Sequence, residues 1–232
     1  MSAHRFEDER FLRGKGRYVA DINRENQLYA KIVRSIHGHA KIINIDISDA
    51  LTVDGVCGIY VEDDLAKDGV GALPCTTKFV AEQPLVVAER YALARDKVRY
   101  VGDPVALVLA ETEMAAQEAA ELVLVDYEAL PVVVNPVNSM QDGNPLIWSN
   151  APKNIAYRFK KGEKESTEAA FHAAAHIVEL DIENNRVMAL PIEPRAGIGE
   201  YDPENDVMRL ICTAQGVHAI REQLAQSVFS ID

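Results

Sequence analysis

The sequence predicts a mixed α/β (α+β) fold, and three observations carry that reading. Short apolar runs broken by Gly, Asp and Asn fill the first half, as strands separated by turns do. Near Thr112 the apolar period switches from two to about 3.6, over a run rich in Ala and Glu. Strand alternation returns after residue 176 and gives way to a second helical stripe at the end of the sequence.

In order along the chain, Leu28–Val33 reads as a strand, and Lys41–Ile47, alternating from Ile43 onward, as a second. Gly55–Val61 is a third, followed by a helical turn at Asp63-Asp64-Leu65. Pro84–Ala88 reads as a short buried strand, and Val98–Val101 runs into the turn signal Gly102-Asp103-Pro104. Val105–Ala110 is apolar throughout, the pattern of a central strand. Thr112 is placed to cap a helix over about 112–123, with Glu113 at its positive end and Ala115, Ala119, Leu122 and Val123 at helical spacing. Val125–Glu128 reads as a return strand.

Residues 136–165 carry Pro136, Pro145, Pro152 and the charged run Lys160–Glu165, which marks a connector of low regular content. Ser166 opens a short Ala-rich helix at about 167–174. His176–Glu183 alternates cleanly and predicts a long strand, with Ala196–Tyr201 and Val207–Cys212 as its pairing partners. From Gly216 to Phe229 the stripe Val217, Ile220, Leu224, Val228 predicts a helix.

At 232 residues the chain can bury a core, as one large domain or two small ones. Lys and Arg number 24 against 36 Asp and Glu, a net charge of −12. The basic residues are scattered, so neither a phosphate backbone nor an anionic membrane surface is an expected partner. No run approaches the roughly 18 apolar residues that span a bilayer. The opening residues lack an apolar signal core, so a cytoplasmic location is expected. Cys57, Cys75 and Cys212 are far apart and form no CxxC pair, which suggests neither a disulfide framework nor a zinc site.

Local chemistry motifs are sparse. Gly14-Lys15-Gly16 does not follow a strand and lacks a third glycine, so it is a loop rather than a phosphate cradle. His37-Gly38-His39 has no evident third ligand, and His172 and His176 have helical spacing without an intervening Glu. There is no Gly-x-Ser-x-Gly elbow, and 36 carboxylates offer no way to single out a catalytic pair.

Longer strings are more specific. Arg5-Phe6-Glu7-Asp8 with Arg10–Tyr18, Val33-Arg34-Ser35 with His39-Ala40-Lys41-Ile42, and Tyr100–Ala106 occur in that order. Ala119–Val123, Asp126–Pro131, Glu193-Pro194-Arg195-Ala196 and Thr213–His218 follow. Together they resemble the opening of molybdenum hydroxylase large subunits, the xanthine dehydrogenase, aldehyde oxidase and aerobic carbon monoxide dehydrogenase family. The resemblance implies an α/β hammerhead domain over 1–135, a connector over 136–175, and an incomplete first molybdopterin-binding domain over 176–232. It implies that Gln215, followed by Gly216, lies at the cofactor. In the family the matching Gln hydrogen-bonds an oxygen ligand of molybdenum, a role an uncharged amide suits. The bland alternative is that Gln215 caps the helix that starts near Gly216.

Family large subunits are several hundred residues longer. That remainder holds most pterin contacts, the substrate loop and the general-base glutamate, so no catalytic residue and no metal ligand is assigned in this chain. Molybdopterin is expected only together with the remainder, and iron–sulfur and flavin subunits are expected as further partners. Two readings stay open. One is an N-terminal part or split subunit of an oxidoreductase, inactive alone, that hydroxylates an aldehyde or N-heterocycle carbon with oxygen from water. The other is a non-catalytic scaffold, assembly module or truncated remnant, whose uncovered stripe from Val217 to Val228 predicts self-association.

Overall fold

The central strand expected at 105–110 lies at the middle of a three-stranded antiparallel sheet, and its neighbours explain its composition. In the computed structural model, which describes residues 5–77 and 85–231, the elements run α1 (Asp8–Leu12), β1 (Tyr29–Arg34), β2 (Ala40–Asp46), β3 (Val56–Val61) and α2 (Glu62–Lys67). There follow β4 (Lys97–Val98), β5 (Pro104–Ala110), α3 (Glu113–Leu122), β6 (Leu124–Ala129) and α4 (Lys164–Ala173). β7 (Gly197–Asp202), β8 (Val207–Cys212), α5 (Val217–Gln223) and a π-helical turn (Leu224–Phe229) complete the order.

The described residues fall into two compact units. One joins Leu28–Ala170 to the segment from His218 onward; the other joins the stretch up to Gln27 to Phe171–Val217. In the first, one sheet has the order β1-β5-β3 and the other β4-β2-β6, all pairs antiparallel. Ala106 and Val108 on one face of β5 pack with Ala119 and Val123 of the α3 region, while Val105 on the other packs with Ala40 and Val98. Both faces are covered, so the strand reads as a continuous apolar run rather than an alternating one.

α3 begins as its sequence indicates. The Thr112 hydroxyl accepts a hydrogen bond from the Ala115 amide at 3.1 Å, and Ala115, Ala116 and Ala119 bury their small side chains. Leu122, expected on the buried stripe, is exposed; Val123, just past the helix, takes the inward place.

Several expectations fail for identifiable reasons. β2 does not alternate from Ile43 onward. Its register against β6 shifts between Ile42 and Asn44, and this bulge turns Ile43 outward while Ile45 packs inward. The strand expected over 98–101 ends at Val98. Gly102 turns at φ +91°, and the Asp103 carboxylate accepts the Arg99 amide at 2.9 Å, which closes a loop. Leu85–Ala88 forms no strand, the Val86 amide bonding Ala156 O at 2.8 Å; Pro84 lies outside the described residues. α4 starts earlier than Ser166, because the Glu163 carbonyl accepts from both Ser166 and Thr167 hydroxyls.

In the other unit, β7 and β8 form the expected hairpin, pairing from Gly197↔Cys212 to Asp202↔Val207. His176–Glu183 forms no strand and is exposed throughout. Among the described residues the hairpin strands pair only with each other and offer this segment no ladder, and extended chain without one gains little. The expected C-terminal helix splits into α5 and the π-helical turn. Its stripe is not wholly uncovered: Val217 is 68% exposed, but Val228 is 6% exposed, and its carbonyl accepts the Gly71 amide at 2.7 Å.

Candidate functional site

Gln215 and Gly216 sit in the short link between β8 and α5. β8 ends at Cys212 because its partner β7 begins at Gly197, and the chain then turns through Thr213–Gly216 into the helix. Both Gln215 and Gly216 are exposed. The Gln215 amide makes no hydrogen bond to any described residue, so it does not cap α5, and its donor and acceptor remain available.

A carboxylate missed by sequence reasoning organises this link. The Thr213 hydroxyl donates to Glu193 Oε1 at 3.1 Å, and the Val19 backbone amide donates to the same oxygen at 3.4 Å. Glu193 thus ties together three stretches that sequence comparison treats separately: the region after Arg17-Tyr18, the Glu-Pro-Arg-Ala string and the Thr-Ala-Gln-Gly string. In the sequence its one signal is its place at the head of Glu193-Pro194-Arg195-Ala196. Glu200 plays a similar part nearby, accepting from Arg209 at 3.0 Å and from Arg24. Those two hydrogen bonds, Arg209 first, hold its carboxyl below the ordinary value of 4.5.

The remaining candidates do not converge. His39 is buried, its Nδ1 2.9 Å from Pro131 O and its Nε2 without a partner; His37 packs its ring 4.9 Å from Tyr127. His172 and His176 are exposed. Cys57 and Cys75 are exposed, Cys212 is half-buried, and none is in a disulfide. Among the described residues no three His, Cys, Asp or Glu side chains gather to hold a metal. A wide depression of about 400 Å³ lies on the β7–β8 hairpin, lined by residues such as Glu200, Tyr201 and Arg209, and does not include Gln215. No described helix is long and apolar enough to cross a membrane.

The link therefore offers one uncharged amide and a glycine backbone, positioned by a hairpin and braced by Glu193. Such a donor set fits hydrogen bonding to a bulky oxygen-rich cofactor, with no enclosure supplied by the described residues around it.

Family comparison decides the setting. Residues 13–131 match the model for the aldehyde oxidase and xanthine dehydrogenase a/b hammerhead domain, and residues 147–232 match the molybdopterin cofactor-binding domain. The chain belongs to the molybdenum hydroxylase large-subunit family. It is 36% identical over 217 residues to the nicotine 6-hydroxylase large subunit of Paenarthrobacter nicotinovorans, covering 94% of this chain and 26% of that protein. It is 34% identical to the carbon monoxide dehydrogenase large chain of Afipia carboxidovorans, covering 94% of this chain and 27% of the relative. The solved quinoline 2-oxidoreductase from Pseudomonas putida 86 superposes with a TM-score of 0.86 at 28% identity, over 98% of this chain and 28% of that one. The chain thus spans about a quarter of the length of these molybdenum hydroxylase relatives. Lengths vary within the family: the chain covers 46% of the nicotinate dehydrogenase large molybdopterin subunit of Eubacterium barkeri, at 29% identity.

Proposed function

We propose that this chain is the N-terminal part, or a split subunit, of a molybdenum-dependent oxidoreductase that hydroxylates an aldehyde or N-heterocycle carbon with oxygen from water. The observation that carries this reading is the succession of two family matches, hammerhead then cofactor-binding domain, along one chain. The proposed division is a hammerhead domain over 1–135, a connector over 136–175 and the start of the cofactor-binding domain over 176–232. A cytoplasmic enzyme with iron–sulfur and flavin subunits fits the same reading, since both relatives above are named as one chain of a larger enzyme.

Molybdopterin with its molybdenum, when bound, supplies the oxidising centre that accepts the substrate's electrons. Gln215 presents its uncharged amide as a hydrogen-bond donor to the cofactor, and Gly216 adds a backbone amide beside it. Glu193 is a positioning residue, fixing Thr213 and with it the approach of Gln215. The chain alone is inactive in this reading, because the general base and most cofactor contacts belong to the remainder of the large subunit.

The test is co-expression with the complementary part of a family large subunit, reading molybdenum per chain and oxidation of an aldehyde and N-heterocycle panel. The expected result is metal and turnover in the complex and neither in the chain alone, with Gln215→Ala lowering turnover at least tenfold. A complex that forms but binds no molybdenum would support a scaffold instead.

A further inference from the structure

The stretch that follows β6 closes on itself. The Asn154 side-chain amide donates to Ser139 O at 3.1 Å and to Pro145 O at 2.9 Å, while its Oδ1 accepts the Ile147 amide at 2.9 Å. The short 3₁₀ turns Asn138–Met140 and Pro152–Asn154 thereby meet at the neck of a compact loop of the Ω type. Lys153 reaches across the loop to Asp142 at 2.8 Å, and Asn144 Nδ2 donates to Asn138 O at 2.6 Å. Lys153 and Asn154 are both left-handed, at φ +55° and +54°, a conformation that persists where bonds such as those of Asn154 hold it.

The loop's grip on the sheets is slighter. Among the described residues, none from 136 to 156 belongs to the buried clusters that the sheets share with α3. Arg99, just after β4, makes the side-chain contact: its guanidinium lies 3.8 Å over the ring of Trp148. Arg99 Nη1 donates to Lys97 O at 3.2 Å, no described carboxylate pairs with the guanidinium, and its Nε is buried without a partner. The stack favours the closed position, and the orphaned Nε donor works against it. A bond from the Val86 amide to Ala156 O at 2.8 Å lies just beyond the neck and fastens the foot of the loop.

We propose that residues 139–154 are a lid that swings as one body on the hammerhead, latched shut by the Arg99–Trp148 stack. Opening uncovers Arg99, a cation with no carboxylate of its own, and leaves the sheets intact. The lid bridges the end of one family match at 131 and the start of the next at 147. Their joint is thus a latched body rather than a slack tether, whatever reaction the assembled enzyme performs.

Trp148 is the single tryptophan of the chain, so its fluorescence reports the latch directly. The test compares the full chain with Arg99→Ala and with Arg99→Lys, which keeps the charge and loses the planar face. Acrylamide quenching of Trp148 is measured beside residue-resolved amide exchange. Both variants are expected to raise quenching, Arg99→Ala by roughly threefold and Arg99→Lys by less. The Ile147 and Ala151 amides, bonded within the lid, are expected to keep their parent exchange rates, as are those of β5. Asn154→Ala is expected to give the opposite pattern, with Ile147 exchanging roughly tenfold faster and quenching little changed. Quenching unchanged in both Arg99 variants overturns the latch. Faster exchange at Ile147 and Ala151 in those variants overturns the single body, since the loop then melts rather than swings. Loss of protection in β5 in both makes Arg99 a support of the whole fold and overturns the proposal as well.

Discussion

The Arg95 guanidinium donates to the buried carboxylate of Glu62 while lying 3.8 Å over the ring of Tyr91. Glu62 opens α2 and is 6% exposed, and the Arg95 guanidinium is its ion-pair partner. Arg95→Ala should cost about 2 kcal/mol, the size of a hydrogen bond to a charged group with one partner left behind in the interior. Urea unfolding reads the loss. Adding Glu62→Gln to Arg95→Ala should recover part of it, and a strictly additive double mutant would contradict the pairing.

Thr112→Ala should lower stability by about 1 kcal/mol, because the Ala115 amide loses its acceptor at the start of α3. Thr112→Ser keeps the oxygen and should remain close to the parent protein. The comparison is made by the denaturation midpoint of the two variants, and equal losses for Ala and Ser would argue against the cap.

Gly71 sits where a side chain cannot. A Cβ there would be driven into the Ser227 carbonyl oxygen, beside the bond from the Gly71 amide to Val228 O. Gly71→Ala should cost about 1–3 kcal/mol through overpacking and release the turn at Leu224–Phe229. Faster amide exchange confined to that turn and its neighbours is the expected signature.

Glu200 gives the hairpin unit an acid-sensitive link. Its carboxyl is lowered by Arg209 and Arg24, so the folded state binds its proton less readily than the unfolded chain does. The stabilisation is therefore fully present above the ordinary value of 4.5 and is lost as pH falls through the folded value. Amide resonances of β7 and β8 should hold steady down to about that pH and move below it. In Glu200→Gln the movement around Glu200 and Arg209 should be absent, while that near Asp202, whose carboxyl is lowered by Asn205, remains.

What could be read from the sequence was what neighbours along the chain decide. Thr112 and the alanines of α3 announce a helix, and the apolar run at 105–110 announces a strand covered on both faces. The bulge at Ile43 escaped notice because it is set by pairing with β6, not by β2 itself. The segment 176–183 has impeccable alternation and no strand, because alternation signals a wish for a partner and cannot supply one. Glu193 joins positions far apart in sequence, which no local period encodes. Gln215 and Gly216 carry no chemistry signal of their own, and only the surrounding strings drew attention to them.

The same exposed segment is an obvious place for a protease to cut, and the chain's route makes such a cut almost silent. Each of the two units is assembled from stretches on both sides of it: Glu193 and Glu200 hold Val19 and Arg24 in one, and Val228 holds Gly71 in the other. A molecule nicked between Val178 and Met188 should migrate as a single species in its native state and fall into two bands only once denatured. Cleavage there would change the connectivity of the polypeptide without releasing either piece.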